Sequence, residues 1–426
     1  MLTRRLTGLL RKPPLLGRRP ITVSSYDNDK VCLVLGSGKA VAYNTVFLRD
    51  SCTAPESIDK FSQQKLFTTS EISQNLRIEG LPQVLESATG PLLKIVWNQN
   101  GQLQTSTYTE EFLEEYSSKE NIRRDKFFER EQLYWSNKEL VDHIDEIQID
   151  YGDYITKEKD FFKACYNLNR YGICFVNNTP RPEHHMQVMT EDNATSWPVY
   201  KLAEKFGYIK KTFYGTLFDV KNVKKAINIA YTKSFLPLHM DLLYYESPPG
   251  LQLLHFIDNS TSGGENIFSD SFKAALYVKQ RDPEAYQALL KVPITYHYDN
   301  NNEYYYYSRP LIVEDKYGIK EVNFAPSFQG PFEFGISDDD GDNVDSKLFQ
   351  LFLRGFNLFD DFVNDPKNHY QLKVPEGSTV IFDNRRVLHS RLAFSDENGG
   401  DRWLMGTYVD GDSFRSKLRV GHRKFY

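Results

Sequence analysis

Short runs in which apolar and polar residues alternate characterise the chain from Lys30 to Ile95, where KVCLVLG and PLLKIVW are separated by Gly, Asn and Pro. A period of two is typical of strands that bury one face, and the intervening residues favour turns. We therefore predict a small amino-terminal β domain over residues 27–125. Charges of both signs recur at helical spacing in residues 126–158, which predicts a solvated helical connector.

The larger carboxy-terminal part, residues 159–426, begins with KDFFKACYNLNRYGICFVNN. Phe162, Cys165 and Leu168 recur at helical spacing before a glycine and the apolar run ICFV, which predicts an amphipathic helix, a stop and a buried strand. Strands and turns dominate beyond residue 225, with helices expected at FKAALYVKQRDPEAYQALL and SKLFQLFLRGFNLFDDFV. We predict a β-dominated α+β fold, a jelly roll with flanking helices and an open mouth suited to a small ligand.

Composition narrows the classes of function. The 426 residues suffice for two domains that each bury a core. The formal net charge of -5 argues against nucleic acid as a partner, because binding its phosphates requires a basic surface. The four cysteines are not closely paired, which indicates free thiols in a reducing compartment. No apolar run approaches the ~18 residues that span a bilayer, so we expect no transmembrane segment.

The first 26 residues are basic and carry leucines interleaved with Arg and Lys, without an acidic residue before Asp27. Such a segment is typical of a mitochondrial transit peptide and differs from the single apolar block of a secretory signal. We therefore expect residues 1–26 to direct the protein to mitochondria, where the matrix is the expected compartment. A basic tail without a targeting role is the alternative.

Three side chains form a candidate metal site. His239 and Asp241 lie two residues apart in LPLHMDLLYY, an apparent strand in which both would point to one face. His389 ends an apolar strand in GSTVIFDNRRVLHSR. Two imidazoles and one carboxylate occupy one face of an octahedron and leave open positions, as non-haem iron(II) oxygenases require. A histidine at the surface or in a structural hydrogen bond is the alternative interpretation of His-x-Asp.

Several longer motifs resemble a known family. They are TFYG, NIAYT, HMDLLYYESPPGLQLLH, TSGGENIFSDSF and FDNRRVLHSR. From Tyr151 to Tyr426 the chain resembles the γ-butyrobetaine and trimethyllysine dioxygenases of the taurine dioxygenase (TauD/TfdA-like) superfamily. The resemblance implies a double-stranded β-helix, iron(II), and 2-oxoglutarate as cosubstrate in the hydroxylation of a C–H bond. Ascorbate as a reductant and assembly into a homodimer are further expectations from this resemblance that stay open.

The resemblance also implies residues that bind the cosubstrate. In this family an arginine after the distal histidine pairs with the far carboxylate of 2-oxoglutarate, with bidentate geometry that lysine cannot reproduce. Arg402 in GGDRWLMGTY lies at that position. Asn266 in GGEN stands where relatives often have Thr or Ser, and it can still donate a hydrogen bond. We expect structural pairing for Arg385, Arg386 and Arg391, which lie nearer His389.

For the substrate, the resemblance implies an aromatic cage around a trimethylammonium group, since a quaternary cation is bound by ring faces. The matching positions are Tyr214, Phe218, Tyr231 and Tyr408, and a packing role is the alternative for these rings. Asn228 favours a γ-butyrobetaine-like trimethylammonium carboxylate, and thus carnitine biosynthesis, over trimethyllysine. Leu242 replaces a tyrosine of the animal enzyme. Trimethyllysine hydroxylation, or a mitochondrial maintenance or binding protein that retains the fold, are the alternatives.

Some motifs are assigned no ligand. VFLRDSC resembles the family's small domain, but Ala54 and Ser57 follow Cys52 where further zinc ligands belong, so we expect no structural zinc. GSGKA lacks two residues of a phosphate loop and predicts a hairpin turn. SDDDGDNVD lacks both essential carboxylates of a calcium loop and predicts a solvated loop. His255 is predicted to be a packed strand residue.

Overall fold

The computed structural model describes residues 20–88, 90–128, 131–183, 188–221, 232–316, 318–336, 345–397 and 399–425. Most of the predicted transit peptide and all of SDDDGDNVD except Asp345 lie outside these ranges. The chain divides into two units, residues 1–130 and residues 131–425. No helix of the described residues is long and apolar enough to cross a membrane. All four cysteines are free, as predicted.

The strands and α-helices described in the first unit are β1 (Thr22–Tyr26), β2 (Lys30–Val34), β3 (Ala40–Asn44), α1 (Thr45–Asp50), β4 (Arg77–Ile78), β5 (Gln83–Ser87), β6 (Gly90–Gln99), β7 (Gln102–Thr109), α2 (Glu110–Glu115) and α3 (Lys119–Phe127). The strands form two antiparallel sheets, one of order β1-β2-β3 and one of order β4-β6-β5 in which β7 also pairs with β6.

A hydrophobic core supports the described part of this first unit. It includes Leu33, Leu93, Ile95 and Trp97, all fully buried, and these alternate with exposed or half-buried neighbours as a strand period requires. The GSGKA segment is a hairpin turn between antiparallel β2 and β3, as predicted. Its Ser37 amide donates a hydrogen bond to the Glu114 carboxylate. That loop amide is therefore already bonded to an acidic side chain.

The predicted connector, residues 126–158, differs from the structure. The helix α3 ends at Phe127, and the second unit begins at residue 131 with only short elements, α4 (Asn137–Val141), β8 (Gln148–Asp150) and α5 (Tyr151–Thr156). The strand β8 pairs in parallel with a central strand of the second unit. Trp135 is fully buried, and its indole N–H donates to the Tyr171 carbonyl. The burial and hydrogen bonding of Trp135, which charge patterning does not report, build the segment into the second unit.

The helix, stop and strand predicted at the start of the larger domain are confirmed as α6 (Glu158–Tyr171), Gly172 and β9 (Ile173–Asn177). Gly172 has a φ of +76° and a Cβ there would lie 2.7 Å from Val387 Cγ2, so glycine meets both a conformational and a steric requirement. The strand β9 is buried on both faces, which explains its continuous apolar sequence.

The remaining elements complete the second unit. The helices are α7 (Pro198–Glu204), α8 (Ser271–Arg281), α9 (Pro283–Leu289), α10 (Ser346–Asn364) and α11 (Gly411–Phe425). The strands are β10 (Phe218–Lys221), β11 (Leu236–His239), β12 (Leu251–Asn259), β13 (Ser262–Gly263), β14 (Asn266–Asp270), β15 (Pro293–Asn300), β16 (Glu303–Pro310), β17 (Ile312–Asp315), β18 (Gly318–Val322), β19 (Tyr370–Leu372), β20 (Ser378–Asp383), β21 (Val387–Arg391), β22 (Phe394–Ser395) and β23 (Arg402–Val409).

Two sheets of the second unit form a jelly roll. One has the order β10-β23-β12-β20-β9-β8, and the other has the order β11-β21-β14-β19. The sheets face each other, since Phe268 of β14 packs on Phe382 of β20 with ring centroids 5.7 Å apart. The predicted helical stretch FKAALYVKQRDPEAYQALL forms α8 and α9, and the stretch SKLFQLFLRGFNLFDDFV forms α10. The predicted β-dominated α+β fold with outer helices is thus confirmed.

Candidate metal centre

The register between β11 and β21 brings two histidines together. His239 ends β11, His389 lies in β21, and they are paired across these antiparallel strands. Their ring centroids are 4.2 Å apart, and only 4% and 6% of the two residues are exposed. Directly opposed residues in an antiparallel pair point to the same face, so two imidazoles distant in sequence converge at one buried point.

Asp241 reaches this point from outside the strand. The prediction that His239 and Asp241 share a strand face was wrong, because β11 ends at His239 and Asp241 lies in the following turn. The next residue, Leu242, has a φ of +60°, a conformation that a bulky side chain rarely adopts. The turn therefore directs the Asp241 carboxylate towards the two histidines, and Asp241 Oδ1 lies 3.2 Å from His239 Nε2.

The donor set fits an iron(II) site. One ligand atom from each of His239, Asp241 and His389 can be chosen so that all lie within 4.8 Å of one another. His239 Nδ1 is hydrogen-bonded to the Pro237 carbonyl at 2.7 Å, which leaves Nε2 for a metal. His389 Nδ1 is buried without a hydrogen-bond partner among the described residues. Two imidazoles and one carboxylate match the facial triad of non-haem iron.

Electrostatics favour the ionised form of Asp241 and the neutral form of His389. Burial raises the pKa of the Asp241 carboxyl, but a hydrogen bond with His239 and the nearby His389 outweigh it and hold that pKa well below its usual range. Burial, and then the proximity of His239, lowers the pKa of His389 to about 3. An ionised carboxylate and a neutral imidazole are the forms that bind a cation.

A small cavity of about 40 Å³ opens beside the triad. It brings together five of the predicted residues, namely Tyr214, Phe218, His239, Asp241 and Tyr408. Leu242, identified from the sequence as a departure from the animal enzyme, also lines the cavity. Sequence reasoning missed the other lining residues, which are Val220, Leu236, Tyr244 and Phe328. Tyr244 lies three residues after Asp241 in HMDLLYY, a signal that could have indicated it. The predicted substrate-binding residues Asn228 and Tyr231 lie outside the described residues.

The aromatic rings of the cavity are packed against one another. Phe218 stacks on Tyr408 with ring centroids 4.9 Å apart, and Tyr214 lies 6.1 Å from Phe218. A Cβ at Gly406 would lie 2.2 Å from the Phe218 ring, so the missing side chain leaves room for that ring. The Tyr408 hydroxyl donates to Asp241 Oδ2 at 2.7 Å. Tyr408 thus contacts both the cavity and a metal ligand.

Arg402 and Asn266 occupy buried positions at the starts of β23 and β14. Arg402 lines a second cavity, and its guanidinium lies over Phe394 at 5.5 Å. Arg402 Nε and Asn266 Oδ1 are both buried without a hydrogen-bond partner in the described part of the chain. Burial, and then the charge of Arg391, lowers the pKa of Arg402 to about 9. An anion would relieve both the unpaired donor and the repulsion between the guanidinium groups.

The other arginines near His389 make the structural pairings that were predicted. Arg386 forms a fully buried ion pair with Asp270 at 2.8 Å. Arg385 pairs with Glu321 at 2.9 Å, and Arg391 donates to the Ser234 carbonyl at 2.6 Å. Each of these three guanidinium groups is bonded to a side chain or carbonyl of the fold.

A jelly roll that carries two histidines and one carboxylate is the architecture of an iron- and 2-oxoglutarate-dependent oxygenase. Residues 136–408 match the model of the family described as Taurine catabolism dioxygenase TauD, TfdA family. The chain belongs to this family of dioxygenases, which confirms the resemblance at the level of the family.

Three relatives show how the chain is placed within it. Dioxygenase str8 of Strobilurus tenacellus is 33% identical over 89% of this chain and 85% of its own length. The probable oxidoreductase AIM17 of Saccharomyces cerevisiae is 32% identical over 91% of this chain and 86% of its own. Gamma-butyrobetaine dioxygenase of Pseudomonas sp. (strain AK-1) is 24% identical over 95% of this chain and 97% of its own.

Proposed function

We propose that this dioxygenase hydroxylates an unactivated C–H bond of a small trimethylammonium carboxylate related to γ-butyrobetaine, as in carnitine biosynthesis. The observation that carries the proposal is the cavity beside the triad, where Tyr214, Phe218 and Tyr408 present aromatic rings. A quaternary ammonium cannot hydrogen-bond, and each favourable ring face attracts it by about 0.5 to 2 kcal/mol. The relative named gamma-butyrobetaine dioxygenase, aligned over nearly the whole chain, supports this substrate class.

The site residues divide the work in this proposal. His239, Asp241 and His389 would hold iron(II), and Arg402 with Asn266 would hold the far carboxylate of 2-oxoglutarate. When bound, iron and 2-oxoglutarate supply the oxidation of the C–H bond by dioxygen, coupled to conversion of the cosubstrate to succinate and carbon dioxide. The chain itself positions the trimethylammonium group against its rings. It also keeps bulk water from the buried imidazoles.

Succinate release and hydroxylated product, measured together by mass spectrometry, test the reaction. Purified protein with iron(II) and 2-oxoglutarate is expected to turn over γ-butyrobetaine faster than trimethyllysine. It is expected to react at least tenfold less efficiently with 5,5-dimethylhexanoate, in which carbon replaces the cationic nitrogen. Equal turnover of 5,5-dimethylhexanoate would refute recognition of the cationic group. Faster turnover of trimethyllysine would show that trimethyllysine is the preferred substrate.

Substitution of a single ligand tests the metal role. Asp241→Ala is expected to abolish iron-dependent succinate formation, because it removes the anionic ligand of the triad. Asp361→Ala is the matched control, since Asp361 is an exposed residue of α10. Unchanged turnover in Asp241→Ala would show that the metal is held elsewhere.

We also propose that the protein acts in the mitochondrial matrix. The support is the basic, leucine-containing sequence of residues 1–26. A fusion of residues 1–26 to a fluorescent protein is expected to enter mitochondria. A second fusion, in which the six Arg and Lys residues of this segment are changed to Gln, is expected to stay outside. Identical distributions of the two fusions would contradict the targeting role.

A further inference from the structure

The backbone of Asp241 is held by one buried amide side chain. Asn384 Oδ1 accepts the Asp241 N–H at 2.9 Å, and Asn384 Nδ2 donates to the Asp241 carbonyl at 3.0 Å and to the Pro249 carbonyl at 3.3 Å. Asn384 is fully buried in the loop between β20 and β21, five residues before His389. The same loop that leads to one metal ligand therefore fixes the peptide groups of another.

The carboxylate of Asp241 is oriented by a second buried side chain. Its Oδ1 faces His239 Nε2 at 3.2 Å, whereas its Oδ2 accepts the hydroxyl of Tyr408 at 2.7 Å. Tyr408 is 3% exposed and its ring stacks on Phe218, which restricts the direction of its hydroxyl. The two carboxylate oxygens thus have different partners.

We propose that Tyr408 and Asn384 are positioning residues that present a single oxygen of Asp241, Oδ1, to the metal. Asp241 lies in a turn rather than a strand, so no sheet hydrogen bonds fix its direction, and these two side chains supply that constraint. With Oδ2 bound to the phenol, the carboxylate would take up one coordination position of a bound metal. The remaining positions would stay open for cosubstrate and dioxygen. This inference rests on the proposed metal site.

The hydroxyl and the ring of Tyr408 have separate roles in this proposal. Its hydroxyl is used by Asp241, so only its ring is free to contact a ligand in the cavity. Tyr408→Phe therefore removes the positioning bond and keeps the ring, which separates metal binding from substrate packing.

Binding of Co(II), a spectroscopic substitute for iron(II), to the metal-free protein tests the inference without turnover. Tyr408→Phe is expected to weaken Co(II) binding by 10- to 100-fold, the usual effect of losing a hydrogen bond to a metal ligand. The matched control is Tyr296→Phe, since Tyr296 is also fully buried and its hydroxyl donates to the Asn323 carbonyl at the same distance, 2.7 Å. That control is expected to bind Co(II) like the unaltered protein.

A second variant tests the amide. Asn384→Asp keeps the size of the side chain but sets an oxygen against the Asp241 carbonyl. It is expected to weaken Co(II) binding to a similar degree, with circular dichroism used to select variants that fold. If Tyr408→Phe, or a folded Asn384→Asp, bound Co(II) with the affinity of the unaltered protein, the inference would be overturned and the metal site would remain. Failure of the unaltered protein to bind Co(II) would instead refute the metal site and the inference with it.

Discussion

The guanidinium of Arg402 is buried with an unpaired Nε, whereas that of Arg354 is half exposed and paired with Asp282. Lysine keeps the charge but cannot form two parallel hydrogen bonds to a carboxylate. Arg402→Lys is therefore expected to raise the KM for 2-oxoglutarate about 10- to 100-fold, equivalent to the loss of one charged hydrogen bond. Succinate assays over a range of 2-oxoglutarate concentrations measure this, with Arg354→Lys as control. An unchanged KM would remove Arg402 from the cosubstrate site.

His255 supports a prediction about acid stability. It is fully buried in β12, and burial lowers its pKa to about 4 although the Thr179 backbone opposes this shift. An unfolded histidine titrates near pH ~6.5, so between these pH values the unfolded state binds more protons and the free energy of unfolding falls as the pH falls. The loss between pH 7.5 and 4.5 is expected to be roughly 2 to 3 kcal/mol larger in the unaltered protein than in His255→Leu. Urea titrations at both pH values measure it, and equal losses would contradict the assignment.

Several secondary-structure elements meet at the buried pair of Asp270 and Arg386. Asp270 ends β14 and accepts the Trp135 backbone N–H at 3.0 Å, while Arg386 precedes β21 and donates to the carbonyl of Arg170 at 3.1 Å. Asp270→Asn leaves the guanidinium charge uncompensated, and we expect it to lower the free energy of unfolding by about 3 to 5 kcal/mol.

A surface pair provides the control for that measurement. Arg354 pairs with Asp282 with 53% of its side chain exposed, and Arg354→Met is expected to cost no more than about 1 kcal/mol. Denaturant unfolding of both variants gives the two values. A similar small loss in each would mean that the buried pair does not join these elements.

The same contrast between local pattern and long-range contact explains what the sequence could predict. The helix α6, the strand β9 and the hairpin after β2 were predicted because periodicity and turn residues are local signals. The segment before β8 was misassigned, because its charges are visible in sequence while the burial of Trp135 depends on distant partners.

At the scale of the whole molecule, the sequence could predict the candidate metal ligands but not the side chains that hold them in place. His239 and His389 were identified by residue type and motif, and the register of two strands brings them together. The hydrogen bonds of Asn384 and Tyr408 to Asp241 join three separate segments through the conformation of a turn, which no spacing rule describes. That Arg402 Nε and Asn266 Oδ1 are buried without a hydrogen-bond partner in the described part of the chain likewise follows only from the folded structure.

A metal that binds only the folded chain stabilises the whole second unit, because the three ligands come from segments that unfolding separates. At a free Co(II) concentration about 100 times the dissociation constant, the free energy of unfolding is expected to rise by about 2.7 kcal/mol. Thermal unfolding with Co(II), and after its removal with a chelator, measures the difference. Asp241→Ala should unfold at the same temperature in both conditions, since it lacks the anionic ligand. Stabilisation of that variant to the same extent would place the relevant metal elsewhere in the protein.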